Sequence, residues 1–128
     1  MKTILKLAFL FAIPLLLSNC KKDKNYQSYF YTDVKSDTPL YLYVDEEYKG
    51  KLPVMTVKPT FENDTLKQKA LYLTLKTGKY KVEAKDADGS VMSSGTVKFC
   101  DNKAASTGKA GGQSVDISKD VLIVGLRY

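Results

Sequence analysis

The sequence predicts an all-β chain, a small antiparallel β-sandwich of about seven strands that follows an N-terminal signal peptide. Three observations predict it. Apolar residues in the second part of the chain recur at every second position, the period of a half-buried strand. Gly, Asp and Asn punctuate those runs, as tight turns require. The opening residues differ in kind: Lys2 and Lys6 precede an apolar run from Leu7 to Leu17.

That run is too short to span a bilayer. Eleven helical residues reach about 16 Å, roughly half of the hydrocarbon core, and Pro14 would disturb a helix there. A charged start, a short apolar stretch and small or polar residues before a cut site describe an export signal. Leu17-Ser18-Asn19-Cys20 resembles the lipobox of bacterial lipoproteins, with Asn19 where that family usually has Gly, Ala or Ser. The resemblance implies that residues 1–19 are a removed signal peptide. It also implies that Cys20 is lipidated (a palmitate-bearing membrane anchor) and that the protein sits in the bacterial cell envelope. Lys21 in place of aspartate implies the outer membrane. More than one acyl chain gives stable anchoring. Residues 20–28 then read as the lipidated cysteine and a tether, and 29–128 as the sandwich domain.

Leu40-Tyr41-Leu42-Tyr43-Val44 alternates two leucines and a valine with two tyrosines. The run from Leu71 to Leu75 repeats the plan. Tyr80, Val82 and Ala84 alternate with charged residues, and Val97 and Phe99 with Thr96 and Lys98. Val121 to Tyr128 is apolar on both faces for several residues, which suits a central strand. Thr77-Gly78-Lys79 reads as a hairpin turn, as does Asp86 to Gly89 with its Asp-Gly step. Lys49-Gly50 reads as a bend, residues 60–69 as one helical turn or a loop, and 101–114 as a flexible glycine-rich loop.

A second resemblance covers roughly residues 38 to 90. Val44-Asp45, Gly50-Lys51-Leu52-Pro53, and the stretch from Leu75 to Val82 are similar to a PEGA-type module, with Glu46 where that family has glycine. It implies a small Ig-like or PEGA-like sandwich on an envelope protein, without enzymatic activity.

The chemistry that remains is narrow. The chain has no histidine, so Ser-His-Asp and Cys-His nucleophiles are impossible. No cofactor and no metal site is expected: zinc sites draw on several Cys and His. Asp86-x-Asp88-Gly89 lacks the remaining oxygen ligands of an EF-hand. Gly108-Lys109 lacks the earlier glycine and later Ser or Thr of a phosphate loop. Cys100 reads as a small apolar core side chain, with pairing between chains as the alternative.

The formal net charge is +6. Removing Lys2 and Lys6 leaves 18 basic against 14 acidic side chains, and Arg127 is the single arginine. Such weak basicity, almost all lysine, gives no basis for nucleic-acid binding. Asp45, Glu46 and Glu47 read as a solvated turn, not the paired carboxylates of a hydrolase.

Tyr41, Tyr43 and Tyr72 are the candidate binding face, for an envelope protein or a glycan. Tyrosine also favours strands for packing reasons alone. The expected function is a lipid-anchored, non-catalytic binding or structural module. The alternative is a small inhibitor or immunity-type lipoprotein that engages an envelope-targeting enzyme through the 45–51 turn or the 101–114 loop.

Overall fold

The computed structural model describes residues 24–35 and 37–128, with the side chains of Lys109 and Ala110 excluded. The stretch read as a signal peptide, residues 1–19, and Cys20 lie outside the described residues. Within them the chain is all-β, with nine strands in two sheets and one short helix.

Inward apolar alternation explains most of the strands. β1 is Asn25–Thr32 and buries Tyr26, Ser28, Phe30 and Thr32. It begins inside the stretch read as tether, because Tyr26 and Ser28 already point to the core. β2 is Leu40–Val44 and buries both leucines and the valine. β3 is Glu47–Leu52 and pairs antiparallel with β2. β4 is Leu71–Lys76, β5 Gly78–Lys85 and β6 Val91–Cys100. β7 is Lys103–Ala110, β8 Gly112–Ser118 and β9 Val121–Arg127.

The sheets run β4-β1-β9-β8 and β3-β2-β5-β6-β7. β1 and β9 pair in parallel, Thr32 makes an isolated parallel bridge to Val54, and every other strand pairing is antiparallel. β9 thus lies inside its sheet, which explains why Val121–Arg127 is apolar on both faces. Phe30, Leu122, Val124 and Leu126 from one sheet meet Leu42, Val82, Val97 and Phe99 from the other. Each such fully buried side chain contributes about 1.5–3 kcal/mol.

Three connections differ from the expectation. Thr77 is no hairpin turn: β4 and β5 belong to different sheets, and the chain crosses between them there. The Thr77 amide donates to the Lys24 carbonyl at 2.9 Å, which fixes the crossing beside the start of β1. The 101–114 stretch is not a loop. Its small residues form β7 and the first part of β8, and the turn before β7 is Asp101-Asn102 alone. The bend at Lys49-Gly50 is a bulge within β3, where the register with β2 shifts.

The β2–β3 turn falls instead at Asp45-Glu46, both left-handed at φ 49° and 68°. The carboxylate of Asp45 accepts the Lys81 amide at 2.8 Å and holds the turn down. Glu46 occupies a conformation that costs a side-chain-bearing residue about 1 kcal/mol. Glu46→Gly is therefore expected to raise stability by roughly 0.5–1 kcal/mol, the lost Lys81 contact being solvent-screened. A higher urea midpoint at unchanged slope would bear this out, and a lower midpoint would refute it.

After β3 the chain runs over the outside of the four-stranded sheet. Met55 packs with Tyr31 and Ile123, flanked by Phe61, Leu66 and Ala70. The helix, α1, is Asp64–Lys69. Asn63 caps it by accepting the Leu66 amide at 3.1 Å. The outer face of this sheet is thereby roofed over β1 and β9. The outer face of the five-stranded sheet has no such cover among the described residues.

Candidate functional site

The register of the five-stranded sheet fixes what its open face presents. Tyr41 is opposite Lys51 on β3 and opposite Lys85 on β5. Tyr43 is opposite Tyr48 and Glu83. One row across the sheet therefore reads lysine, tyrosine, lysine, and the next reads tyrosine, tyrosine, glutamate. The alternation that sends Leu40, Leu42 and Val44 inward sends these side chains outward.

The three rings form one cluster. The Tyr48 ring lies 6.0 Å from Tyr41 and 5.7 Å from Tyr43, centroid to centroid, at tilted angles. Tyr48 is the most open of them, with 55% of its surface exposed. The Lys85 ammonium sits 4.4 Å from the Tyr43 ring centre, within cation–π range. With Asp86, Ala87 and Gly89 the rings line a shallow groove of about 370 Å³. A larger hollow of about 550 Å³ opens at the same end of the sheet, between Thr38, Pro39, Pro53 and Val54. Lys51 borders it, and it has no aromatic lining.

The charges of the groove are asymmetric. Glu83 is buried at 5% exposure and is paired with Lys81 at 3.5 Å. Lys81 also meets Glu46 at 3.3 Å, and these carboxylates hold its pKa above the usual lysine value, Glu46 foremost. The Asp86 carboxylate is committed to its own turn, accepting the amides of Asp88 at 3.0 Å and Ser90 at 2.9 Å. The Asp86 to Gly89 stretch is thus the hairpin that its sequence predicts. Lys51 and Lys85 make no ion pair among the described residues.

Tyr72 is not part of this cluster. It lies on β4, in the other sheet, 5.3 Å from Tyr29 and hydrogen-bonded to Thr74 at 3.1 Å. The structure therefore joins Tyr41 and Tyr43 with Tyr48, and separates Tyr72 from them. Tyr48 was hidden in the sequence by its place after three acidic residues. The bulge at Lys49 is what turns it onto the face of Tyr43.

Cys100 ends β6 half-buried and is disulfide-bonded, its partner lying outside the described residues. It is not the core thiol that its position after Phe99 suggests. Among the described residues no group of three or more acidic, His or Cys side chains could hold a metal. No helix among them is long and apolar enough to cross a membrane. Compared with protein-family models, with curated proteins and with solved structures, the chain matches none.

Proposed function

We propose that this chain is a lipid-anchored protein of the bacterial cell envelope whose sandwich binds a ligand and catalyses nothing. The observation that carries the binding half is the open outer face of the five-stranded sheet. It gathers three tyrosines and two lysines without ion-pair partners among the described residues, while the opposite face of the molecule is roofed by its own chain. Aromatic rings with polar tips suit recognition better than solvation. The anchoring half rests on the resemblance of Leu17 to Cys20 to a lipobox.

Labelling of growing cells with a palmitate analogue tests the anchor. The expected result is a labelled protein whose mature chain starts at a modified Cys20, and the Cys20→Ser variant should lose the label. A thioether and a disulfide cannot share one sulfur. Cys20 is the only other cysteine of the sequence, so the disulfide of Cys100 and a lipid on Cys20 exclude each other within one chain. The anchor requires Cys100 to pair instead between two chains, which a non-reducing gel reads directly. An unlabelled monomer that keeps residues 1–19, or that joins its two cysteines internally, would overturn the anchor.

The inhibitor reading retains one surface, the hairpin tip at Asp45 to Glu47, whose three carboxylate residues are all exposed. A single stoichiometric enzyme captured from envelope extracts, and lost in the Glu46→Lys variant, would favour it over a general binding module.

A further inference from the structure

We propose that the groove formed by Tyr41, Tyr43 and Tyr48 binds an acidic polysaccharide, with the rings stacking on sugar faces and Lys51 and Lys85 pairing with its carboxylates. The inference rests on the binding reading above and adds the chemistry of the ligand.

Three features of the groove specify it. The first is the form of the lining. Tilted rings about a shallow channel offer flat apolar surface to the C–H faces of a pyranose, and phenol hydroxyls to its polar rim. Gly89 lines the channel with no neighbour within 4 Å of where a Cβ would stand, so that wall is low. A groove open in this way admits the interior of a chain as well as an end.

The second is charge. Lys51 and Lys85 flank Tyr41 on its two neighbouring strands. Neighbouring strands stand about 4.8 Å apart, so the two lysines are rooted about 10 Å from each other with the tyrosine between them. The spacing of two successive sugar units in an extended chain is comparable. Two of the carboxylates beside the groove are engaged, Glu83 with Lys81 and Asp86 with the amides of its turn. In the row across Tyr41 both charged side chains are cations without an ion-pair partner among the described residues, and these answer an incoming anion.

The third is position, and it favours a polymer over a membrane headgroup as the anion. Residue 24 is tied to Thr77, at the start of β5, by bonds of 2.9 and 3.2 Å. β5 has 8 residues and ends at Lys85, so the groove lies about 23 Å along the sheet from the tether's entry. Cys20 can stand no more than about 14 Å from residue 24. A chain anchored through Cys20 is thus held by the end of the sheet opposite the groove, which leaves the groove open to a polymer of the envelope or the surface.

The test is binding of the detergent-solubilised full chain to polygalacturonate and to alginate, followed by affinity electrophoresis. Neutral dextran and phosphatidylglycerol vesicles are the comparison ligands. We expect both acidic polymers to retard the protein and dextran and vesicles to leave it unmoved. Tyr48→Ala, on an exposed side chain that spares the core, should weaken binding about tenfold, as loss of one stacking contact does. Lys85→Ala should weaken it roughly fivefold and flatten the dependence on salt, since one screened ion pair is gone. Tyr72→Ala, on the other sheet, should change nothing. The proposal is overturned if the polymers do not bind, if Tyr48→Ala and Lys85→Ala bind as the native chain does, or if dextran or the vesicles bind equally well. Failure here would leave the palmitate label on Cys20 untouched, so a failure of the groove and a failure of the anchor are told apart.

Discussion

Tyr26→Ala is expected to cost about 3–5 kcal/mol, the range for truncating a large buried aromatic ring. Tyr26 has no exposed surface. Its ring meets Phe99 of the facing sheet edge-on at 5.0 Å, and Tyr80 stacks on Phe99 at 5.6 Å. The three rings fill the end of the sandwich where the chain enters. Burial at that end also pushes the Tyr80 hydroxyl above its usual pKa. A small domain holds a total stability of about 5–15 kcal/mol, so one such loss removes much of the margin.

The hydroxyl of Tyr26 has a separate task. It accepts the Asn102 amide at 3.2 Å, in the turn between β6 and β7 where Asp101 and Asn102 are both left-handed. Tyr26→Phe keeps the ring and loses that bond, and is expected to cost about 1 kcal/mol. Urea unfolding of the two variants separates the parts. Equal losses in both would mean that the hydroxyl, not the ring, holds this end together.

The same residue shows where sequence reasoning stops. Tyr26 lies among lysines, asparagine, glutamine and serine, and only its pairing to Leu75 across β1 and β4 makes it a core residue. Local composition read it as tether. The alternating runs Leu40–Val44, Leu71–Leu75 and Tyr80–Ala84 were legible as strands because each carries its own apolar face. β7 was not, since Lys-Ala-Ala-Ser-Thr-Gly-Lys-Ala has no such face. It is a strand because β6 offers it a partner along its length. The glycines and serines that signal a loop are here the small residues that let two sheets close against each other.

The candidate site divides in the same way. Tyr41 and Tyr43 were legible as neighbours because residues two apart on a strand share a face. Tyr72 has an identical local pattern, and nothing local tells which of two sheets a strand joins. The crossing at Thr77 decides that, and it depends on hydrogen bonds to residue 24, far away in sequence. Tyr48 joined the cluster through a bulge, which breaks the period-two rule that would have placed it.

Gly95→Ala is the second substitution expected to be severe, at about 2–3 kcal/mol. Gly95 lies on β6 opposite Gly108 on β7, and the amide of Gln113, from β8, folds into the space that both leave. That amide donates to the Ser93 hydroxyl at 3.0 Å and to the Ser94 carbonyl at 3.1 Å. It is a polar rivet between the two sheets at the edge where Gly111 carries the chain across. Gly111 is itself left-handed at φ 65°, with the Arg127 backbone too close to admit a side chain. A methyl group on Gly95 would stand 2.6 Å from Cδ of Gln113 and 2.8 Å from the Thr107 carbonyl oxygen, so both must move. Moving Gln113 breaks its two bonds to β6. Moving Thr107 disturbs the β6–β7 ladder itself.

This predicts a specific coupling. Gln113→Ala alone should cost about 1–2 kcal/mol for the lost bonds. In the double variant the clash of the alanine methyl with the Gln113 amide is relieved, its contact with the Thr107 carbonyl remains, and the Gln113 bonds have already gone. The two losses should therefore fall short of their sum by about 1 kcal/mol, the coupling expected of side chains in contact. A double-mutant cycle in urea measures it. Strict additivity would show that Gly95 is needed for its backbone against Thr107, and that the glutamine fills space without defining it.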